Sequence, residues 1–516
     1  MLKQTRFNQF FCYLFGFGSL AAIIWMIETA LVLPRQNALF SIFTVHLSIV
    51  QIQQLNWFAL GLAILILGSG FVVNRWLSKR EPIKLNFDLI FWIELIIYTI
   101  LICMFVYVFG INKAVDDSQF VLNAAKQFKT LGNLHSNAYM YLNPQNLFLM
   151  FVYIGLEKIF GAQIFAILGF FILIQLLTIV IVYAAMKQLK LSQIARFISI
   201  QLLFLAVQLM FHSLIMYTDT LAIFFISLSF YCLCKYLTVT HQRNFWLILA
   251  CLLGSLGYLS KGTVLIYMIA IAVFLFIYEA RFKKFYAVFP IGILMIFIFA
   301  WNQLIVGVKV FEDANYGMPN THYIMMGTSN FDLANRDADK NKSLIVGAYN
   351  TPDFQYSKKL YYDEQQSKEK VSQAQLTIFK NRISQLSISE LLEALNYKVA
   401  TTWSSGDLKA TFDLKRASTK NWRIKYLEYG NFAKFIYVLM TSMQLLAYVV
   451  LALGSLKLLK CHDSILLFSS IFIAGYFCFI LLWESNPRYS LVALPFAVIL
   501  LGRLMTLNQN KALSNK

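Results

Sequence analysis

The sequence is poor in charge. Only 13% of its 516 residues are Asp, Glu, Lys or Arg, and 59% are hydrophobic, against about a quarter charged and about half apolar in soluble domains. A chain so short of charge faces lipid, and this one repeatedly runs apolar for roughly 20 residues, the length that crosses a hydrocarbon core of about 30 Å. The chain lacks a GxxxxGK phosphate loop, an HExxH pair and a GxSxG elbow, so nucleotide hydrolysis and zinc or serine hydrolase chemistry have no foothold. No repeat of fixed period is evident, which disfavours a solenoid and gives no support to the internal repeats common in transporters. The seven cysteines lie in or beside apolar runs and none lies in the long polar segment, so a disulfide framework is not expected. Cys232 and Cys234 are two apart, the wrong spacing for a redox or zinc pair, and read as small buried hydrophobes.

Acidic residues are scarcer than basic ones, 25 against 44, for a formal charge of +19. In a soluble protein that surplus would point to nucleic acid, but no RNA-binding motif or basic helical arm is present. The basic residues fall mainly in short loops between apolar runs, which makes them an orientation signal.

Apolar runs lie near 10–33, 57–73, 88–110, 162–186, 197–212, 217–236, 245–260, 262–279, 285–306, 431–457, 464–483 and 489–507. They predict an all-α polytopic membrane protein of about twelve spans. Lys3 and Arg6 precede the first run, which reads as a retained helix because no convincing cleavage site follows. Threading the runs from a cytoplasmic N-terminus places Arg75, Lys79, Arg80 and Lys84 inside, then Lys187, Lys190 and Arg196, then Lys235 and Arg243, and at the end Lys511 and Lys516. Both termini are then cytoplasmic. The organisation expected is a transmembrane module over 1–306, an extracytoplasmic segment of mixed composition over 307–430, and a C-terminal transmembrane module over 431–516. Between 146 and 161 an apolar stretch too short to cross carries Glu157 and Lys158, and is expected to be an interfacial helix.

Asp116 and Asp117 follow the third run in AVDDSQFVLNAAKQF and open an amphipathic helix. Adjacent carboxylates beside low-dielectric material can serve as a general base or hold a divalent cation, Mg or Mn. Their bland alternative is helix capping, with Asp116 at the N-cap and Gln119 at N3. Asp219, in MYTDTLAIFF, divides evenly between function and capping. Lys261 is one of few basic residues expected outside near the membrane, with snorkelling to headgroups as its alternative. Arg488 in NPRYSLVALP is a phosphate-binding candidate, with a surface ion pair to Glu484 as competitor. His322, in THYIMMG, could line an acceptor site or bind metal.

An acidic pair, an aromatic residue four positions after the first Asp and an Ala at eight, filled by Asp116, Asp117, Phe120 and Ala124, resemble the first outer loop of GT-C glycosyltransferases. The order continues with Tyr141-Leu142-Asn143-Pro144, then Asp219, Lys261 and Arg488. By pattern the chain is similar to the protein O-mannosyltransferase and lipid A aminoarabinose transferase group. That resemblance covers the membrane portion and leaves 307–430 unmatched. It implies a membrane enzyme that takes a sugar from a polyprenyl-phosphate carrier, with Asp116 as base, and gives it to an extracytoplasmic glycan, lipid or protein. Asn143 stands where the aminoarabinose transferases would offer a lysine to the carrier phosphate, and Lys261 or Arg488 would supply the missing charge. Two other classes remain open. A flippase for a lipid-linked saccharide would spread charge through the bundle, where only Glu28 and Glu94 lie; a polysaccharide polymerase or ligase would depend on outer arginines such as Arg336, Arg382, Arg416 and Arg423.

Overall fold

The computed structural model describes residues 6–34, 41–79, 85–161, 163–312, 315–332 and 345–514. Lys3, Arg80, Lys84, Arg336 and Lys516 lie outside the described residues. The chain is helical throughout. Its first half runs α1 Arg6–Val32, α2 Ile49–Lys79, α3 Phe87–Phe109, α4 Asp116–Leu131, α5 Ala138–Leu142, α6 Leu147–Phe160, α7 Ile164–Gln188, α8 Gln193–Leu205, α9 Val207–Leu214, α10 Thr218–Thr238 and α11 Arg243–Ser260. It continues with α12 Leu265–Tyr278, α13 Phe289–Gly307, α14 Thr321–Met326, α15 Thr351–Lys358, α16 Lys368–Ser384, α17 Ile388–Trp403, α18 Ala410–Ala417, α19 Asn421–Glu428, α20 Gly430–Leu458, α21 Ser464–Leu482 and α22 Ala493–Ser514.

Among the described residues ten helices are long and apolar enough to cross a membrane. α8 and α9 meet at a 51° bend and make an eleventh if they cross as one span, and the apolar piece Gly262–Tyr278 is shorter than the rest. Each expected apolar run therefore coincides with a helix, and the count turns on the bent pair and the short one. The bundle is layered by exposure. α20, α21 and α22 are largely enclosed by other helices, whereas α1, α2, α3 and α13 turn much of their apolar surface outward, with Phe58, Ile96 and Phe299 exposed. In water that surface would be a severe liability; against hydrocarbon it is matched to its solvent.

Local signals set the helix ends near the region that matters. The Asn86 side chain accepts from the Leu89 N–H to start α3, and Gly110, left-handed at φ 62°, ends it with its N–H on the Val106 carbonyl, the αL stop that glycine adopts without a Cβ penalty. α4 then begins after Val115, whose N–H is bonded by the Ser118 hydroxyl at 3.0 Å. Asp116 is thus the first helical residue and not the cap, and the Gln119 side chain goes to Asn123 at 2.8 Å. The stretch 146–161 forms α6, which packs its Leu149, Met150 and Tyr153 against α4 and α7 while its Glu157 pairs with Lys129.

Residues 307–430 form helices and irregular connections among the described residues, with isolated bridges at Ile111 to Ser418 and Ala348 to Ser485 in place of strands. Their mixed composition does not become mixed secondary structure, because their polar runs lack the period-2 alternation a half-buried strand needs. The segment is tied to the bundle at several points. Trp25 on α1 donates to Asn396 on α17 at 2.6 Å, and the fully buried Lys398 ammonium donates to the carbonyls of Gly327 and Trp483. Gly406 lets the loop before α18 touch α20, for a Cβ there would sit 2.6 Å from Thr441 Cα. The arginines of this segment are engaged structurally: Arg382 grips Asp353 with two bonds of 2.9 and 2.7 Å, and Arg423 donates to the Val108 carbonyl. Glu94, on α3, accepts from Gln201 on α8 at 2.9 Å.

Candidate functional site

Four distant stretches of sequence bring their polar ends to one place. The first turn of α4 supplies Asp116 and Asp117, the first turn of α10 supplies Asp219, the joint between α11 and α12 supplies Lys261, and the turn Pro487–Val492 ahead of α22 supplies Arg488. Arg488 is the hub. Its Nη2 lies 3.2 Å from Asp117 Oδ2 and its Nε 3.8 Å from Asp219 Oδ2, while Lys261 bonds the other oxygen of Asp219. Asp219 is 5% exposed, so its charge survives only because two cations meet it. Both cations also cover aromatic faces, Arg488 over Tyr217 at 4.9 Å and Lys261 over Tyr489 at 4.6 Å, contacts that strengthen where water is excluded.

Asp219 is therefore neither a cap nor an isolated intramembrane charge, since Tyr217 holds the N-cap position of α10. Lys261 does not snorkel to headgroups, and Arg488 pairs with Asp117 and Asp219 in preference to a surface bridge with Glu484.

A hydrogen-bonded chain backs the carboxylates. Tyr139 on α5 donates its hydroxyl to Asp117 Oδ1 at 3.1 Å, Asn146 donates to the Tyr139 oxygen at 2.9 Å, and Tyr217 donates to Asn146 Oδ1 at 3.0 Å. Burial alone would push the Asp117 carboxyl up, but Arg488 and Lys409 outweigh it and hold it below the usual carboxylate range. Asp117 is thus a fixed anion that orients Arg488. Asp116 points elsewhere and is paired with Arg416 of α18, an ion pair whose side chains are 36% and 45% exposed, hence weak and easily exchanged for a ligand.

Of α18 the sequence suggested only Arg416, and that for a polymerase or ligase. The helix packs on α9 and carries Asp413 and Arg416, with Lys409 at its start. Asp413 is buried, its Oδ1 has no hydrogen-bond partner among the described residues, and burial raises its carboxyl to about 6 against the pull of Lys409 and Arg488. Glu484, just ahead of Arg488, is likewise pushed up to about 7 by burial. The backbone around these groups is strained: Asp116, Met216, Leu408 and Lys409 all take positive φ, at 47°, 57°, 54° and 69°. Side chains without glycine's freedom hold such angles only when their surroundings over-determine them, as they do at functional sites. Here the Leu408 carbonyl is held by His212 Nε2 at 3.1 Å and the Met216 carbonyl by the buried Tyr153 hydroxyl.

Three expected residues take other duties. Tyr141 packs on Phe311 and Tyr362 and gives its hydroxyl to the Asn315 carbonyl at 2.8 Å. Asn143 ends α5, donating to the Tyr139 carbonyl at 3.0 Å, and so supports the tyrosine that binds Asp117. His322 is buried with Nδ1 2.8 Å from the Ser357 hydroxyl, and burial holds its ring down to about 4, so it stays neutral inside the segment 307–430. Asp116 and Asp117 each face a different guanidinium, and among the described residues no group of three or more His, Cys, Asp or Glu is gathered.

Residues 123–332 match the model of the family Dolichyl-phosphate-mannose-protein mannosyltransferase, a GT-C family. The matched stretch contains Tyr139, Asn146, Asp219 and Lys261, while Asp116, Asp117, Lys409, Asp413 and Arg488 lie to either side of it. No curated protein and no solved structure matches the chain.

Proposed function

We propose that the protein is an integral membrane glycosyltransferase that moves a sugar from a polyprenyl-phosphate carrier to an extracytoplasmic acceptor by a single inverting displacement. The observation that carries this reading is the convergence of Arg488 and Lys261 on carboxylates from α4 and α10, within a chain whose stretch 123–332 matches a lipid-phosphate-dependent sugar transferase family. Breaking a glycosyl phosphate bond leaves negative charge on the departing phosphate, and pre-placed cations stabilise it as it develops. Arg488 and Lys261 are those cations, held in register by Asp117 and Asp219 so that little reorganisation accompanies the reaction.

Asp116 is the base. Its exposed pairing with Arg416 gives way as an acceptor hydroxyl approaches, and the carboxylate takes the hydroxyl proton while the oxygen attacks the anomeric carbon. The anomeric C–O bond to phosphate breaks, the electron pair leaves with polyprenyl phosphate, and the sugar inverts. The basic short loops, threaded from a cytoplasmic N-terminus, put this site on the outer face. Glycan, lipid and protein acceptors are all compatible with the mechanism.

The test is transfer of radiolabelled sugar from synthetic polyprenyl-phosphate donors to envelope fractions by the purified protein. Transfer that disappears in Asp116→Asn at unchanged expression supports the reading. Movement of the lipid-linked sugar across vesicles with no donor consumed would replace it with a flippase.

A further inference from the structure

The chain just ahead of Arg488 is extended and cannot satisfy its own backbone. α21 ends at Leu482; Trp483 (φ −88°, ψ 167°) and Asn486 (φ −151°, ψ 131°) then lead to Pro487, which has no N–H to offer. Backbone polar groups in such a stretch take partners from elsewhere, and two of them are supplied by the segment 307–430. The Lys398 ammonium on α17 donates to the Trp483 carbonyl at 2.7 Å and also to the carbonyl of Gly327, which ends α14. Two residues on, the Ser485 N–H donates to the Gly347 carbonyl at 2.6 Å, beside a parallel bridge between Ala348 and Ser485. Gly347 in turn gives its N–H to the Ser329 carbonyl at 2.8 Å, and the Ser329 hydroxyl bonds the Ala348 carbonyl at 2.9 Å.

Lys398 is the knot of this arrangement. A Cβ at Gly327 would lie 2.5 Å from the Leu482 carbonyl oxygen and 2.9 Å from both Lys398 Nζ and the Trp483 oxygen; one at Gly347 would lie 2.8 Å from the Gly327 oxygen and 3.1 Å from Lys398 Cγ and Cδ. The lysine stem thus passes between two positions that only glycine fits, and the residue is 0% exposed. Burying an ammonium is costly unless its donors are used; three donors on one atom let it gather carbonyls from two separate stretches, which no apolar side chain can do. The Trp483 ring is fixed as well, stacked at 5.0 Å on both Tyr323 and Phe479, with Gln145 donating to the Tyr323 hydroxyl at 3.1 Å. On the far side, Asn486 Oδ1 accepts from the Arg488 N–H at 3.3 Å and Tyr476 donates to the Tyr489 carbonyl at 3.0 Å.

We infer that Lys398 is a positioning residue for Arg488: its hold on the Trp483 carbonyl sets the course of 483–486, and so the place where the Arg488 guanidinium stands to meet the donor's phosphate. The inference rests on the proposed function and deepens it, giving the segment 307–430 a part in recognising the donor. A cation stabilises charge on a phosphate best when it is pre-placed. The Arg488 contacts of 3.2 Å to Asp117 and 3.8 Å to Asp219 leave little margin, for a backbone shift of about 1 Å takes such pairs beyond hydrogen-bonding range.

The test compares two ligands on the full chain in detergent by titration calorimetry: a short-chain polyprenyl methyl phosphodiester, which carries no transferable sugar, and the matching polyprenol, which carries no charge. Wild type should bind the phosphodiester more tightly. Lys398→Met should raise the phosphodiester Kd about tenfold, the lower end of what a charge-assisted hydrogen bond contributes, and leave the polyprenol Kd within about twofold. With Arg488→Gln already present, Lys398→Met should cost the phosphodiester nothing further, because the two residues act through one contact. An unchanged phosphodiester Kd in Lys398→Met, an equal loss for both ligands, or the same loss with and without Arg488 would overturn the inference. Should Lys398→Met fail to fold, Ser329→Ala takes its place: it removes the bond to the Ala348 carbonyl, a loss of about threefold is expected on the scale of one neutral hydrogen bond, and any result other than a loss confined to the phosphodiester overturns the inference. A wild type that binds the phosphodiester no more tightly than the polyprenol would instead overturn the proposed function.

Discussion

The buried triad of Asp219, Lys261 and Arg488 offers the sharpest test of how the site is held. Asp219 contacts Lys261 directly and Arg488 at 3.8 Å, and its side chain is 6% exposed against 11% for the lysine and 15% for the arginine. Removing one member of a buried pair strands the other, at about 3–5 kcal/mol. The three substitutions are not equivalent, however. Asp219→Asn strands Lys261, leaving its ammonium over the Tyr489 ring at 4.6 Å, so the full cost of about 3–5 kcal/mol is expected. Lys261→Met leaves Asp219 with Arg488 and should cost less, about 1–3 kcal/mol, as a partly satisfied buried charge does. The double variant removes both charges, and its cost should fall short of the sum of the singles by about 2 kcal/mol, the scale of coupling between contacting residues. Reversible unfolding in mixed detergent micelles, followed by the tryptophan signal, measures all three. Additive losses, or a larger loss for Lys261→Met than for Asp219→Asn, would refute the triad as the structure arranges it.

Asp116→Asn should lower kcat for sugar transfer by about 10²–10⁴-fold, the contribution of a positioned general base, with donor KM little changed in steady-state assays. Arg416→Ala removes only the exposed partner of Asp116, so stability should move by less than about 1 kcal/mol in the same unfolding assay. Tyr139→Phe leaves Asp117 Oδ1 and the Asn146 amide without their shared hydroxyl and should cost about 1–3 kcal/mol in unfolding. Burial pushes the Lys398 ammonium down to about 7, well below the ordinary lysine range; because the unfolded chain binds the proton more tightly across that window, stability should rise as pH goes from 7 towards 10, and Lys398→Met should abolish that slope in unfolding measured against pH.

The membrane architecture was legible in sequence because hydropathy is a local property: an apolar stretch of sufficient length has one favourable solvent, wherever else the chain goes. The misjudged details were local too. Asp116 was weighed as a cap for α4, but Ser118 bonds the Val115 N–H, and an apolar Val115 holds the cap position. Asp117, Asp219, Lys261 and Arg488 stood out because an ionisable group at the end of an apolar run is rare enough to need a reason. Tyr139 and Asn146 gave no such signal, being ordinary residues of a polar loop; Lys409 and Asp413 were hidden in a segment where charge is common, and Arg416 stood out there only as one of several arginines a polymerase or ligase would need.

By itself, then, the sequence determined which segments lie in lipid and which polar residues sit at their ends, since both follow from transfer free energies summed over neighbouring residues. Only the tertiary structure decided who meets whom. Arg416 reaches Asp116 across 300 residues and Arg488 reaches Asp117 across 371, and no periodicity along the chain encodes a contact at such separation. It is fixed by the packing that brings the first turns of α4 and α10, α18 and the turn ahead of α22 together, so that these opposite charges meet.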